Sequence, residues 1–217
     1  MTAGSGLRRF VGPAPAPPPD AQSEKVERCE MCGEPAGNPH GHVVDVTNRR
    51  LLCACRPCYL LFTRPDAGGG RLRAVPDRYA FDPAHPIGRA EWDRLGIPVG
   101  SVFLLRGENG VTAFYPSPAG ATECLLDLDA LADLAKNHPL LSAAEDEVEA
   151  VLVRAESDTD PVDSYVDAYV VPIDACYELV GTVRLYWRGF DGGPEARSAI
   201  DAFYDRVRAA ARPLAEG

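Results

Sequence analysis

The sequence predicts an α+β fold, a small Cys-rich module followed by a mixed domain of hairpins and about four helices. Three observations carry this. Five of the seven cysteines fall between positions 29 and 58, as two Cys-x-x-Cys pairs on either side of a β-rich stretch. Short alternating runs punctuated by Asn-Gly, Gly and Pro recur through the first two thirds of the chain. Two stretches near the C-terminus carry apolar residues at helical spacing behind helix-start signals. Charge divides the chain at a similar place, with net +3 over residues 1–80 and net −13 over 81–217. The expected organisation is therefore a Pro-rich segment at 1–24, a metal module at 25–80 and an acidic α+β domain at 81–217.

Taken in order, residues 13–19 (Pro-Ala-Pro-Ala-Pro-Pro-Pro) lack the donors and apolar mass to join a core, which predicts an extended spacer. Residues 6–10 ahead of it read as a frayed terminus or a short docking peptide. Strands at 41–46 and 51–55 make a hairpin around Thr47-Asn48-Arg49-Arg50, residues 64–70 a Gly-rich loop, and 71–75 a strand stopped by Pro76. Strands at 102–106 and 111–115 flank Asn109-Gly110, whose positive φ angles suit a tight turn. Residues 115–123 are dense in turn formers and read as a rigid binding loop or as a hairpin exit leading into a helix. Asp127 caps a predicted helix at 128–136 with Leu128, Leu131 and Ala135 on one side. A helix is expected over 141–150, which makes the acidic run Glu145-Asp146-Glu147 with Glu149 a solvated face. Strands follow at 151–154 and 165–171. Asp174 caps a helix with Cys176, Leu179, Val180 and Val183 inward, and Pro194 opens a last helix that buries Ala196, Ile200, Phe203, Tyr204 and Val207. Between these helices, residues 187–193 read as a tight turn with Trp187 and Phe190 in the core, ahead of a partner-facing aromatic and Arg patch.

Composition sets limits. The chain has 217 residues, 46% of them hydrophobic, and a formal charge of −10, enough apolar mass for a real core and a poor match to nucleic acid or anionic lipid as a whole. No apolar run approaches the length of a membrane span, and no secretory leader is read at the N-terminus, so a cytoplasmic location with reduced thiols is expected. Arg49, Arg50, Arg56, Arg71 and Arg73 are a thin basic footprint, and no nucleic-acid partner is expected.

The cysteines carry the chemistry. Cys29-Glu-Met-Cys32-Gly33 and Cys55-Arg-Pro-Cys58 are separated by 22 residues. A Cys-x-x-Cys turn presents two thiolates to one cation, and two such knuckles returned to one another by a hairpin give a tetrahedral S₄ site. Gly33 suits the sharp turn after the first knuckle. Cys29, Cys32, Cys55 and Cys58 are thus the predicted ligands of Zn²⁺, with iron of rubredoxin type or an iron–sulfur cluster as the alternative. Cys53 supplies a fifth thiol, read as a small packed residue, and His40 and His42 are placed outside the ligand set, where all three tune or shield the ion. Cys124 and Cys176 are isolated and read as packing residues. No His-Glu-x-x-His, Gly-x-Ser-x-Gly, phosphate loop or dinucleotide fingerprint occurs, so no reaction is nominated.

The two Cys pairs with Leu52-Cys53, residues 113–123 (Ala-Phe-Tyr-Pro-Ser-Pro-Ala-Gly-Ala-Thr-Glu), 176–181 (Cys-Tyr-Glu-Leu-Val-Gly) and 187–193 (Trp-Arg-Gly-Phe-Asp-Gly-Gly) resemble those of an uncharacterised, mainly actinobacterial family encoded beside high-affinity nickel–iron hydrogenases. That resemblance spans nearly the whole chain. It implies a non-catalytic accessory protein whose partner is a hydrogenase subunit or a maturation factor; an electron carrier on the same thiolates is the alternative.

Overall fold

The structure is a computed structural model that describes residues 26–108, 110–155 and 164–214. The Pro-rich segment, the 6–10 peptide and Asn109 lie outside the described residues. The chain is mixed α+β, with six helices and sheets of three and seven strands among the described residues.

The small sheet is built by β1 (Gly41–Asp45), β2 (Arg50–Ala54) and β3 (Leu72–Ala74), in the order β2-β1-β3 with both pairings antiparallel. The turn between β1 and β2 is held by Asp45, whose carboxylate accepts from the backbone N–H groups of Thr47 and Asn48 and from the side chains of Asn48 and Arg71. Immediately after β2 a short helix that sequence reading did not anticipate, α1 (Arg56–Leu60), carries Pro57 in its first turn, where no N–H is needed. A 3-10 turn at Ala67–Gly70 precedes β3.

With β6 (Gly110–Ser117) and β7 (Gly120–Cys124) at one edge, the large sheet runs in the order β10-β4-β9-β8-β5-β6-β7 and is antiparallel except where β10 (Arg212–Pro213) lies parallel to β4 (Ala80–Phe81). Its centre is β5 (Ser101–Gly107), β8 (Glu149–Arg154) and β9 (Asp167–Pro172). Side chains alternate across it, so Phe103, Ala150, Leu152, Tyr169 and Val171 enter one core, and Val102, Leu104, Val151, Val153 and Val170 enter the other. The first face is covered by α5 (Ile173–Tyr186) and α6 (Gly193–Ala210). The second is covered by α2 (Arg89–Asp93), α3 (Leu128–Asn137) and α4 (Leu140–Ala143) with the segments beside them. Cys176, Leu179, Val180 and Val183 are all buried on α5, as are Ala196, Phe203, Tyr204 and Val207 on α6, with Ile200 packed at the edge. Val44 and Val75 of the Cys-rich region join the α5–α6 core.

Several expectations are corrected. Residues 115–123 continue the sheet: β6 (Gly110–Ser117) turns directly into β7 (Gly120–Cys124), with the Ser117 hydroxyl closing the turn on the Gly120 carbonyl at 2.9 Å. On α3, Asp127 does cap the helix through Asp129 and Ala130 N–H, but Leu131 and Leu134 are the buried pair, while Leu128 is exposed. The helix expected over 141–150 stops at Ala143. Glu147 takes a positive φ, and Glu149 opens β8 fully buried. The acidic run is consequently a set of paired carboxylates, Glu145 with Arg73, Asp146 with Arg106, and Glu149 with Arg78. Asp174 lies inside α5 and not at its cap, which falls at Pro172. Phe190 is fully exposed at the tip of a loop closed by the Arg188–Gly192 bridge, and Trp187 is half-buried against Gly192.

Candidate metal centre

Each knuckle is shaped by its own backbone. In the first, Gly33 N–H returns to the Cys29 carbonyl at 2.9 Å and Cys29 N–H to the Glu34 carbonyl at 2.8 Å, a turn that needs Gly33 at φ +78°. In the second, Tyr59 N–H reaches the Cys55 carbonyl at 2.9 Å, which starts α1 and folds Cys58 back over Cys55. Glu30 ties the two together. Its carboxylate accepts from Cys53 N–H at 2.8 Å and from the Arg50 guanidinium at 2.6 Å, while its own N–H bonds the Cys53 carbonyl. Cys29 and Cys55 are buried with Val43 and Ala54, flanked by Met31, Tyr59, Phe62 and Leu72.

The Sγ atoms of Cys29, Cys32, Cys55 and Cys58 all lie within 4.8 Å of one another, and Cys32 Sγ is 3.6 Å from Cys55 Sγ. A disulfide needs about 2 Å, and all seven cysteines are free. Sulfurs at the corners of a tetrahedron with Zn–S bonds of about 2.3 Å stand roughly 3.8 Å apart, so the four thiols have the spacing a metal ion requires. Their electrostatics agree. Burial opposes ionisation of Cys29, yet hydrogen bonds from the backbone of Cys55, Cys32 and Met31 bring its thiol down to about 6. Hydrogen bonding to Cys32 and Cys55, followed by burial, pushes Cys58 up to about 12. Four sulfurs this close share protons unevenly, since like charges disfavour one another; a divalent cation lets all four ionise.

The other singled-out residues form a separate group. His40, His42 and Cys53 bring one donor atom each within 4.8 Å of the others. His42 and Cys53 are direct cross-strand partners, and the two imidazoles meet edge to face at 4.9 Å. Burial, then the carboxylates of Glu27 and Glu30, raise the Cys53 thiol. Sequence reasoning missed Asp174, whose Oδ2 sits 2.7 Å from His42 Nδ1, because its place in a helix start resembles an ordinary cap. Cys176 is fully buried on α5, where burial pushes its thiol up, and Cys124 is half-buried beside the Ala113 carbonyl. Of the arginines near the cluster, Arg50, Arg71 and Arg73 are engaged with Glu30, Asp45 and Glu145.

The family model DUF5947, described as a family of unknown function, matches residues 28–211. The chain belongs to the DUF5947 family. The match begins one residue before Cys29 and ends just past α6, so both cysteine pairs, the small sheet and every strand of the large sheet except β10 of this DUF5947 chain fall inside it. No curated protein and no solved structure matches the chain. Among the described residues no helix is long and apolar enough to cross a membrane.

Proposed function

We propose that Cys29, Cys32, Cys55 and Cys58 hold one Zn²⁺ as a structural ion, and that the protein is a non-catalytic accessory factor acting through protein contacts. The convergence of four thiols from two knuckles carries this reading. The ion supplies charge compensation and cross-linking. The apolar core around the knuckles is small, with only Val43 and Ala54 of the described residues fully buried beside the cysteines, and a bound metal contributes folding energy where packing cannot. The metal module spans residues 25–80, with the acidic domain at 81–217 beside it.

The partner we infer is a cytoplasmic nickel–iron hydrogenase subunit or maturation factor, which rests on the motif resemblance. A surface suited to a partner lies next to the cluster: Leu60 and Leu61, at the end of α1, are 50% and 65% exposed. Purification without oxygen, followed by metal analysis and an optical spectrum, tests the ion. Zinc with a colourless solution, and loss of one ion in Cys58→Ser, is expected; iron with visible absorption that bleaches on reduction would make the protein an electron carrier on the same thiolates. Co-purification with the hydrogenase, lost in Leu60→Ser/Leu61→Ser at unchanged metal content, tests the partner.

A further inference from the structure

We infer that His40, His42 and Cys53 form a second, independent metal site that binds a borderline divalent cation, for which Zn²⁺ is the fitting ion. Donor type points there first. Two imidazoles and a thiolate suit zinc, and three protein ligands leave a fourth position for water or another small ligand. The three donor atoms already lie within 4.8 Å of one another. The cross-strand pairing of His42 with Cys53 and the edge contact between the imidazoles hold them there.

The ring nitrogens add an observation the four-thiol cluster does not explain. An ionised carboxylate only accepts, so the 2.7 Å contact with Asp174 Oδ2 places the proton of neutral His42 on Nδ1 and leaves Nε2 with a free lone pair. His40 has a looser version, with Nδ1 3.4 Å from Glu27 Oε2 and Nε2 buried with no hydrogen-bond partner among the described residues. A carboxylate behind each imidazole is the arrangement that orients metal-binding histidines and raises their basicity. A buried nitrogen with no partner is the atom a cation would satisfy. Beside the triad, between the small sheet and α5, a cleft of about 320 Å³ is lined by His40, His42, Arg56, Tyr59, Tyr79 and Asp174, which gives an ion a route in.

The test counts ions on the full chain. Metal-stripped protein is titrated with Zn²⁺, desalted, and weighed by native mass spectrometry, with Cys53→Ser and His40→Gln alongside. Each variant is expected to hold one zinc fewer than wild type. His40→Gln leaves the paired strands that carry His42 and Cys53 untouched, so it serves as the reporter should Cys53→Ser fail to fold. Equal zinc counts in wild type and a folded variant would overturn the assignment. Cys58→Ser reports on the four-thiol site separately: if that variant keeps every ion while Cys53→Ser loses one, the triad stands and the four-thiol reading falls.

Discussion

Among the described residues, Asp45 and Glu149 are the two carboxylates that packing has taken furthest from water, at 6% and 0% exposure, and each is held by an arginine. The Arg71 guanidinium beside Asp45, helped by Asn48 against the effect of burial, holds its carboxyl well below the usual carboxylate range. A depressed folded-state pKa stabilises the fold above the unfolded value of about 4, and the contribution disappears as pH falls through the lowered value. The thermal midpoint of Asp45→Asn should therefore lie below wild type at neutral pH, and the gap should narrow in acid; melting curves from pH 7 downward check this. Glu149 receives Arg78 Nε at 2.8 Å and the Glu145 N–H at 2.8 Å. Arg78→Ala strands a charge in the core, so a loss of about 3–5 kcal/mol is expected in denaturant titration.

The second knuckle rests on the start of β1, and one glycine permits it. A Cβ on Gly41 would stand 2.5 Å from the Tyr59 ring, whose hydroxyl is anchored on the Val75 carbonyl at 2.9 Å. Neither side has room to move, so Gly41→Ala should cost about 1–3 kcal/mol and weaken retention of the metal against a chelator. Gly107 shows the contrast: its added Cβ would meet only the end of the Glu147 side chain, which can swing away. These elements also show what local pattern reveals. The knuckles, the β1–β2 and β5–β6 hairpins and the inner faces of α5 and α6 were legible because turn chemistry and periodicity are local. The break between α4 and β8 was hidden, since helix-favouring residues 141–150 are overridden by long-range pairing of Arg78 with Glu149 and by burial of β8 between two strands. The four-thiol grouping was legible from spacing alone. The carboxylate behind His42 was not, because Asp174 lies 132 residues along the chain.

At the scale of the molecule, the small sheet and the large one share apolar contacts through Val44 and Val75, reinforced by the His42–Asp174 bond. Stripping the metal should accordingly be felt beyond the knuckles. A metal ion held at 1,000 times its Kd stabilises by about 4 kcal/mol, which for a chain of this size corresponds to roughly 8–16 °C. Trp92 lies buried in the core on the far side of the large sheet. Its fluorescence should therefore report a midpoint lowered by that amount after chelation; an unchanged Trp92 transition would show that the two sheets melt independently.

Strand β4 has consequences in time as well as space. Its two neighbours, β9 and β10, are supplied by residues far along the chain, Ala80 pairing with Val170 and with Arg212, whereas Cys29 through Cys58 come from one short stretch. Closing a short loop is cheap and fast, and a long one is slow. During synthesis the knuckles therefore emerge and can close while that edge of the large sheet still waits for its partners, so a metal ion taken by the four thiols would act on the nascent chain before most of its hydrophobic core exists.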